Sequence, residues 1–563
     1  MESHQLKHRA LSANEEVRSH DRDVTDLARL GKKSVLKRTF GILSTLGFSC
    51  TILGTWEGLF NTLLLPLQKL VTQTGDTRSK LTASSGGPGG AVYAFIFAWT
   101  GTACCFVVIS ELASMAPTSG GQYHWCAMLA PPHLMKFLSY MTGWVTVIGW
   151  QAAFASTSFL AGTQIQGAVL LAHSYYQPQP WHGTLLMWAA VLLALGINLV
   201  GGKLLPRLEI VILVIHLLGF FAILIPMTYM ADHKTTHDVF LDFVNNGGFP
   251  TQGLSWFVGM TGCVFAFAGG DAAVHMAEEV RNASVAIPRA ILLSVLINGT
   301  LGFSMLIAVL FCLGDVKTAL ATRTGYPYME IFYQATDSLP GALGMTSILL
   351  IIGVCCVIGM LAATSRQFWS FARDRAVPGW RIWSKVFPPR EFRLAITDML
   401  LFQVSPVNCL PTYSILLTMT VCCLLGLINI GSSVALNAVV SMAVSGVYLS
   451  YLMVGSLLLY RRCTGAISQY DHGEDGVINV PGAKLAWGPF HVPGMLGTAV
   501  NTYAVIYMVI VVFFSFWPSQ MSVDKTTMNF SVVGTVGTIL LALLYYVLRA
   551  RKVYEGPVME VSI

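Results

Sequence analysis

The sequence predicts an all-α polytopic membrane protein with twelve transmembrane helices. Of its 563 residues, 54% are hydrophobic and 11% are charged, whereas an ordinary soluble domain carries roughly 25% charged residues. The hydrophobic residues gather in runs of about 20 or more, the length that a helix needs to cross a bilayer. This composition excludes a soluble multidomain enzyme and a disordered chain. It also excludes a disulfide scaffold, because 12 cysteines are few for this length.

Twelve apolar runs give the predicted spans, numbered here in chain order. They cover residues 40–66, 91–114, 134–167, 183–201, 205–230, 253–280, 287–313, 340–365, 412–429, 433–460, 492–517 and 530–549. The predicted organisation has five regions, which are a tail (1–39), a first group of five spans (40–230), a second group of five (253–460), two further spans (492–549) and a second tail (550–563). An even number of spans places both tails on one side of the membrane.

Basic residues orient the chain, because cytoplasmic segments of membrane proteins are enriched in Lys and Arg. With the N-terminus inside, 27 of the 34 Lys and Arg residues fall in cytoplasmic segments. Both tails are therefore predicted to be cytoplasmic, in the plasma membrane or, as the alternative, in an internal one. The basic residues are spread over many short segments and do not gather on one folded face, so no nucleic-acid partner is expected.

Two of the spans contain helix-breaking residues near their middle. Span one has glycines on either side of the polar stretch 49–51, and span six has Gly269 and Gly270 directly before Asp271. A helix broken inside a bilayer is tolerated where it lines a cavity. Interrupted segments at corresponding positions of two halves point to the binding site of an inverted-repeat transporter, here with spans 1–5 and 6–10 as the repeats. The alternative is that each glycine only permits close helix packing.

The chemistry of such breaks indicates a ligand with two different ends. A half-helix N-terminus presents free N–H groups and a partial positive charge, which suit an anionic group. Unwound carbonyl groups suit a cation. A small zwitterion, or a cation with a polar end, is the expected substrate.

Several segments resemble the amino acid, polyamine and organocation permease superfamily. FAFAGGDAAVHMAEEVRNASVAIPRAI (265–291) resembles its sixth-span signature, and the segments 109–125, 197–209 and 363–380 resemble its motifs around spans two, four to five and eight. The stretches GTWEGL and HMAEE look more specifically like the fungal amino acid/choline permeases. The resemblance implies a LeuT-like core of ten helices in a 5+5 inverted repeat with broken helices one and six, followed by two extra helices.

The resemblance also implies where the substrate lies. It places an amide-rich turn for a carboxylate or hydroxyl group on Ser49, Cys50 and Thr51. It places the carbonyl groups and the ring that face an amine on four further residues, Phe265, Ala266, Phe267 and Ala268. This sequence lacks the Gly-Thr-Gly or Gly-Ser-Gly turn that many relatives carry in span one.

Other residues complete the predicted substrate site. Gly269 lies at the break, and Asp271 would cost roughly 2.5 to 3.5 kcal/mol if it faced lipid, so it is expected to face the cavity or a partner. Its alternative role is to cap the second half of span six. Four aromatic residues are candidates for cation–π contact with an ammonium group, worth about 0.5 to 2 kcal/mol each. They are Trp144 and Trp150 in span three and Phe265 and Phe267 in span six, with Phe267 preferred because it lies next to the break. The alternative for these aromatic residues is packing in the core.

Two residues are predicted to couple transport to protons. His216 lies in the middle of the apolar span five, and the resemblance supports it, because proton-coupled relatives often carry a basic residue thirteen positions after the lysine found here at 203. Histidine titrates near neutral pH, although a buried structural histidine is the alternative. Glu278, near the cytoplasmic end of span six, is expected to form a gate or an ion pair with arginines.

The predicted function is secondary active transport of an amino acid, γ-aminobutyrate or a choline-like amine by alternating access, with the proton as coupling ion. The alternatives are a nutrient sensor with the same fold, or an exchanger without proton coupling. No phosphate-binding loop of a primary pump is present in the sequence, and no enzymatic activity, cofactor or metal site is expected. The expected partners are the substrate, the proton and the lipid bilayer, and the oligomeric state stays open.

Overall fold

The computed structural model describes residues 22–62, 86–173, 175–200, 204–245, 247–386, 410–431, 433–469, 477–518, 520–523 and 528–561. The helices of these residues, in chain order, are α1 (22–29), α2 (Ile42–Leu53), α3 (Thr55–Thr62), α4 (Gly87–Met115), α5 (Gln122–Leu129), α6 (Pro132–Ala172), α7 (Pro180–Val200), α8 (Leu204–Met230), α9 (Thr236–Phe240), α10 (Gln252–Gly259), α11 (Thr261–Phe265), α12 (Ala272–His275), α13 (Ala283–Phe311), α14 (Val316–Leu320), α15 (Pro327–Thr336), α16 (Leu339–Arg373), α17 (Trp380–Trp383), α18 (Thr412–Gly431), α19 (Ser433–Cys463), α20 (Gly494–Ser515) and α21 (Ser531–Leu548). Single 3-10 turns occupy Ala277–Glu279 and Ala550–Lys552. The strands β1 (Ile467–Ser468) and β2 (Leu485–Ala486) pair in parallel.

Within the described ranges, nine helices are long and apolar enough to cross a membrane, which fits a polytopic membrane protein. The other three predicted spans lack one such helix for visible reasons. Span one is divided into α2 and α3, and span six is divided into α10, α11 and α12, so each piece is short. Span three lies within α6, whose 41 residues are long enough to cross a membrane, but no stretch of this helix is apolar enough to be counted. The count of twelve and the inverted repeat stay predictions.

The largest apolar cluster lies around the interrupted helices and draws its side chains mainly from α4, α6, α13, α16 and α19. Small residues allow these helices to approach each other closely. A Cβ on Gly149 of α6 would lie 2.8 Å from the backbone nitrogen of Val447 in α19, and one on Gly446 would lie 2.7 Å from the Cα of Gly149. The backbones of α6 and α19 are therefore in contact at this point.

Apolar side chains on the outside of the bundle mark its lipid-facing surface. Leu218 of α8 and Leu541 of α21 are 64% and 66% exposed. In water such side chains would be unfavourable, whereas the hydrocarbon of a bilayer accepts them. The outer helices are thus apolar on both sides, which agrees with the mean hydropathy of +0.63.

The segment before α2 is fixed to one end of the bundle, which we call the tail face. The Asp23 carboxylate accepts hydrogen bonds from the backbone N–H groups of Asn282 (2.8 Å) and Ala283 (3.1 Å), at the start of α13. A negative charge at a helix N-terminus is stabilised by the free N–H groups there. The Arg38 guanidinium donates to the carbonyl groups of Ala277 (3.1 Å) and Val280. The N-terminal segment is therefore attached beside the end of span six.

The chain end after α21 returns to the same tail face. Lys32 and Asp374 form a buried ion pair of 2.5 Å, and Asp374 also accepts from the backbone N–H of Val558 at 2.9 Å. The Glu560 carboxylate accepts from the Arg373 side chain at 2.6 Å and from the Lys33 backbone at 3.0 Å. Both terminal segments and the end of α16 are thus connected.

Candidate substrate cavity between two interrupted helices

One cavity of about 120 Å³ lies between the breaks of α2/α3 and α11/α12. Its walls come from these segments together with α6, α16 and α19. Among the described residues that line it, the one charged side chain is Glu57, and the larger rings are Trp150 and Phe265. The polar wall is completed by Asn61 and Gln164, whose side-chain amides are hydrogen bonded to each other.

The first break falls at Gly54, which has the left-handed values φ +39° and ψ +47°. Glycine adopts this conformation without a steric cost, and it commonly ends helices for this reason. The Gly54 N–H still donates to the Cys50 carbonyl (2.9 Å), while α3 begins at the next residue, Thr55. The Asn298 side chain from α13 accepts from the Thr55 N–H (3.2 Å) and donates to the Cys50 carbonyl (3.4 Å). Asn298 therefore connects the two sides of the break, a role that the sequence did not reveal.

The prediction of an amide-rich turn at Ser49, Cys50 and Thr51 is wrong, because these residues are helical. Their N–H groups lie inside α2, where polar side chains do not by themselves interrupt a helix. Thr51 lines the cavity, whereas Ser49 and Cys50 are buried and lie outside its lining. The break follows three residues later at Gly54, the position whose backbone requires a glycine.

The second break follows the sequence prediction closely. α11 ends at Phe265, residues 266–271 form turns, and α12 begins at Ala272. Gly269 has φ +102°. This stretch provides four cavity-lining residues, namely Phe265, Ala266, Ala268 and Gly269.

Phe267 lies on the other side of the same turn. Its ring is fully buried and packs against Phe95 with 5.1 Å between ring centroids, and it does not line the cavity. Contrary to the prediction, this ring therefore does not face the cavity, because it packs against Phe95 inside the protein. Trp150 of α6 does line the cavity, as predicted.

Asp271 lies behind the cavity wall and faces protein partners. Its carboxylate accepts hydrogen bonds from the Gln122 amide (2.6 Å) and the Tyr451 hydroxyl, and it lies 3.5 Å from His275 Nε2. It makes no side-chain cap with α12. Of the roles expected for Asp271, the geometry supports contact with polar partners. Through Gln122 and Tyr451, Asp271 connects span six to α5 and α19.

The predicted histidine has a partner that sequence reasoning missed. His216 of α8 is fully buried, and its Nδ1 lies 2.6 Å from Oε1 of Glu57, which lies in the first turn of α3 and lines the cavity. The Trp56 indole N–H also approaches this Nδ1, at 3.2 Å. Lys203, from which His216 was counted, lies outside the described residues. An acidic residue inside an apolar span is a signal that could have identified Glu57.

The distance between Glu57 and His216 is compatible with two positions of the proton in their hydrogen bond. Nδ1 can carry the proton and donate to the Glu57 carboxylate. Alternatively, Nδ1 carries no proton, and its one lone pair accepts either from a protonated Glu57 or from the Trp56 indole N–H. The structure thus places a carboxyl group and an imidazole within hydrogen-bonding distance of each other at the cavity wall.

Glu278 does not join this pair. It lies on the tail face and binds the Arg373 guanidinium at 2.9 Å, while the neighbouring Glu279 binds Arg366 at 2.8 Å. Both ion pairs are buried and connect the end of span six to α16. Glu278 therefore forms the ion pair that was expected of it, away from the histidine.

Two interrupted helices around a central cavity, in a bundle of membrane-length helices, define the class of transporters that bind substrate at helix breaks. The family model for amino acid permeases matches residues 58–538, and the chain belongs to this family. It is therefore a transporter and not an enzyme.

Curated relatives agree with this assignment over nearly the whole chain. The chain is 29% identical to the choline transporter of Saccharomyces cerevisiae, over 92% of this chain and 83% of the relative. It is 27% identical to amino-acid permease BAT1 of Arabidopsis thaliana, over 95% of this chain and 96% of the relative. It is 23% identical to amino-acid permease 2 of Neurospora crassa, over 94% of this chain and 88% of the relative.

Proposed function

We propose that this chain is a proton-coupled secondary active transporter of a small amine, namely an amino acid, γ-aminobutyrate or a choline-like cation. The proposal depends mainly on one observation, which is that Glu57 lines the cavity and contacts His216 at 2.6 Å. The same carboxyl group can therefore face a substrate on one side and a titratable ring on the other. Alternating access then carries both to the other side of the membrane.

The walls of the cavity favour a substrate with a positive end. Glu57 supplies a negative charge, and among the described lining residues no lysine or arginine opposes it. Trp150 and Phe265 offer aromatic surfaces, which attract a desolvated ammonium group by about 0.5 to 2 kcal/mol each. A choline transporter among the relatives is consistent with this preference.

The pair can hold a proton and a substrate together, as symport requires. When His216 carries the additional proton, the pair has no net charge, and Glu57 still presents a carboxylate to an ammonium group. A substrate that binds this carboxylate shifts the shared proton toward the ring. Binding of substrate and proton are then linked, and such linkage acts in both directions. Exchange without proton coupling is the alternative.

Uptake of labelled substrates from a panel tests the proposal. Purified protein in proteoliposomes is offered amino acids, γ-aminobutyrate, choline and polyamines at two external pH values. We expect saturable net uptake of at least one amine, faster at the more acidic external pH. Uptake that is independent of pH supports the exchanger, and binding without any flux supports a sensor. Uptake that prefers anions to amines contradicts the proposed site.

A further inference from the structure

A second buried carboxyl group lies outside the cavity lining. Glu209, in the second turn of α8, is fully buried. Among the described residues, no group donates a hydrogen bond to either of its carboxyl oxygens. Its backbone carbonyl lies directly against Gly47 of α2, where a Cβ would overlap it. The side chain is therefore enclosed where α2 and α8 meet.

The groups around Glu209 are neutral and poor donors. From α2 comes the Thr51 hydroxyl, whose hydrogen is directed to the Gly47 carbonyl at 2.8 Å. From α16 come the thiols of Cys355 and Cys356, on which Glu209 acts electrostatically, and thiols are weak donors. Within the described part of the chain, these two cysteines are the titratable groups that interact electrostatically with Glu209. No described lysine, arginine or histidine forms an ion pair with it.

This arrangement suits a protonated carboxyl and not a carboxylate. An unpaired charge inside a protein is strongly unfavourable, because no water or counter-charge replaces its hydration. A protonated Glu209 has an O–H that the Thr51 hydroxyl oxygen can accept. The one hydrogen of Thr51 is directed to the Gly47 carbonyl, so Thr51 does not donate to Glu209.

We propose that Glu209 is a second proton-binding site of this transporter, occupied in the conformation described here and separate from the pair of Glu57 and His216. Thr51 of α2 and Cys356 of α16, the two neighbours named above, both line the cavity, so Glu209 lies close behind the cavity wall. Any movement of α2 away from α8 during alternating access exposes the carboxyl to water and permits its proton to leave. The proposal depends on the proposed transport cycle for its role, but the protonation itself can be measured without a substrate.

Infrared difference spectroscopy on the full-length protein in lipid nanodiscs tests the site. A titration from acidic to alkaline pH is expected to show one carboxyl C=O band that disappears reversibly at high pH. This band should be absent in Glu209→Gln and present in His216→Ala. Thr51→Val, which removes the acceptor, should shift the band. If Glu209→Gln does not fold, Glu209→Asp replaces it and should move the band without abolishing it.

Three results would overturn the proposal. The first is a spectrum in which no band depends on residue 209. The second is a band that persists at all pH values, which identifies a permanently protonated structural acid. The third is a band that is lost at constant pH when sodium replaces potassium, which identifies a sodium site. Failure of the uptake panel with a positive infrared result would reject the transport proposal and leave the proton site intact.

Discussion

Glu57 is the described side chain of the cavity wall that lies within ion-pair distance of the His216 imidazole. We therefore expect His216→Ala to abolish accumulation driven by a pH gradient while exchange of labelled for unlabelled substrate continues. The reason is that exchange requires substrate binding and helix movement but no net proton transfer. Both activities are measured in the same proteoliposomes, with His237→Ala in the exposed helix α9 as the control. An unchanged pH dependence of accumulation would contradict the assignment.

The carboxylate of Glu57 should contribute directly to substrate affinity. A hydrogen bond to a charged group is worth about 1.5 to 3 kcal/mol, so Glu57→Gln should raise the apparent KM for an amine by roughly tenfold to a hundredfold. The amide keeps the size of the side chain but carries no charge. Glu330→Gln in α15, which lies outside the cavity lining, is the control. Equal KM values for the two variants would mean that Glu57 does not contact the amine.

Some residues of the site were accessible to sequence reasoning and others were not. Trp150, Phe265 and Gly269 were predicted for the site and line the cavity. Ser49 lies inside α2 and the Phe267 ring packs against Phe95, because the sequence alone does not determine where a helix breaks or which way a ring points. Asn298 could not be predicted, since its partners at positions 50 and 55 are about 250 residues away in sequence.

At the scale of helices, the sequence indicates which spans break because glycine and acidic residues are unusual inside apolar runs. Both expected interruptions are present, at Gly54 and at residues 266–271. Glu57 and Glu209 carried the same kind of signal, but they were treated only as parts of family motifs. The fixed crossing of α2 against α8 depends on Gly47 and could not be predicted, since helix contacts depend on the tertiary packing.

Packing between α6 and α7 provides a test at this scale. A Cβ on Gly162 of α6 would overlap the backbone nitrogen of Met187 in α7, whereas a Cβ on Gly196 of α7 would meet no atom within 4 Å. Gly162→Ala should therefore destabilise the protein by about 1 to 3 kcal/mol, the usual cost of overpacking. Gly196→Ala is the matched control and should be tolerated. Thermal unfolding in detergent compares them, and similar midpoints for the two variants would show that α6 and α7 are not in close contact.

For the whole molecule, the tail face joins segments from both ends of the chain. Glu560 lies there beside Arg373. Burial alone would raise the pKa of the Glu560 carboxyl, but the hydrogen bond and the charge of Arg373 outweigh this effect and hold the pKa below its usual value. A carboxyl with a lowered pKa in the folded state stabilises that state above its unfolded-state pKa. This contribution is lost as the pH falls through the lowered value. Docking of the C-terminal segment should therefore persist through mildly acidic pH.

Glu560→Gln should weaken this docking at neutral pH. Limited digestion with trypsin, which cleaves after Arg551 and Lys552, measures how freely the segment moves. We expect faster cleavage in Glu560→Gln than in the parent protein, and no change in Glu555→Gln, whose side chain is exposed. Equal cleavage rates for all three proteins would show that Arg373 and Glu560 do not hold the segment in place.

The docked chain end also has a practical consequence for work with this protein. The backbone N–H groups of Glu560 and Val561 donate to the Gly31 carbonyl. The Arg373 side chain binds both Glu560 and Glu278, which lies at the end of span six. A fluorescent protein or affinity tag fused directly after Ile563 would therefore follow the docked residue Val561 by only two residues. A long flexible spacer before the tag is the suitable design for localisation and purification.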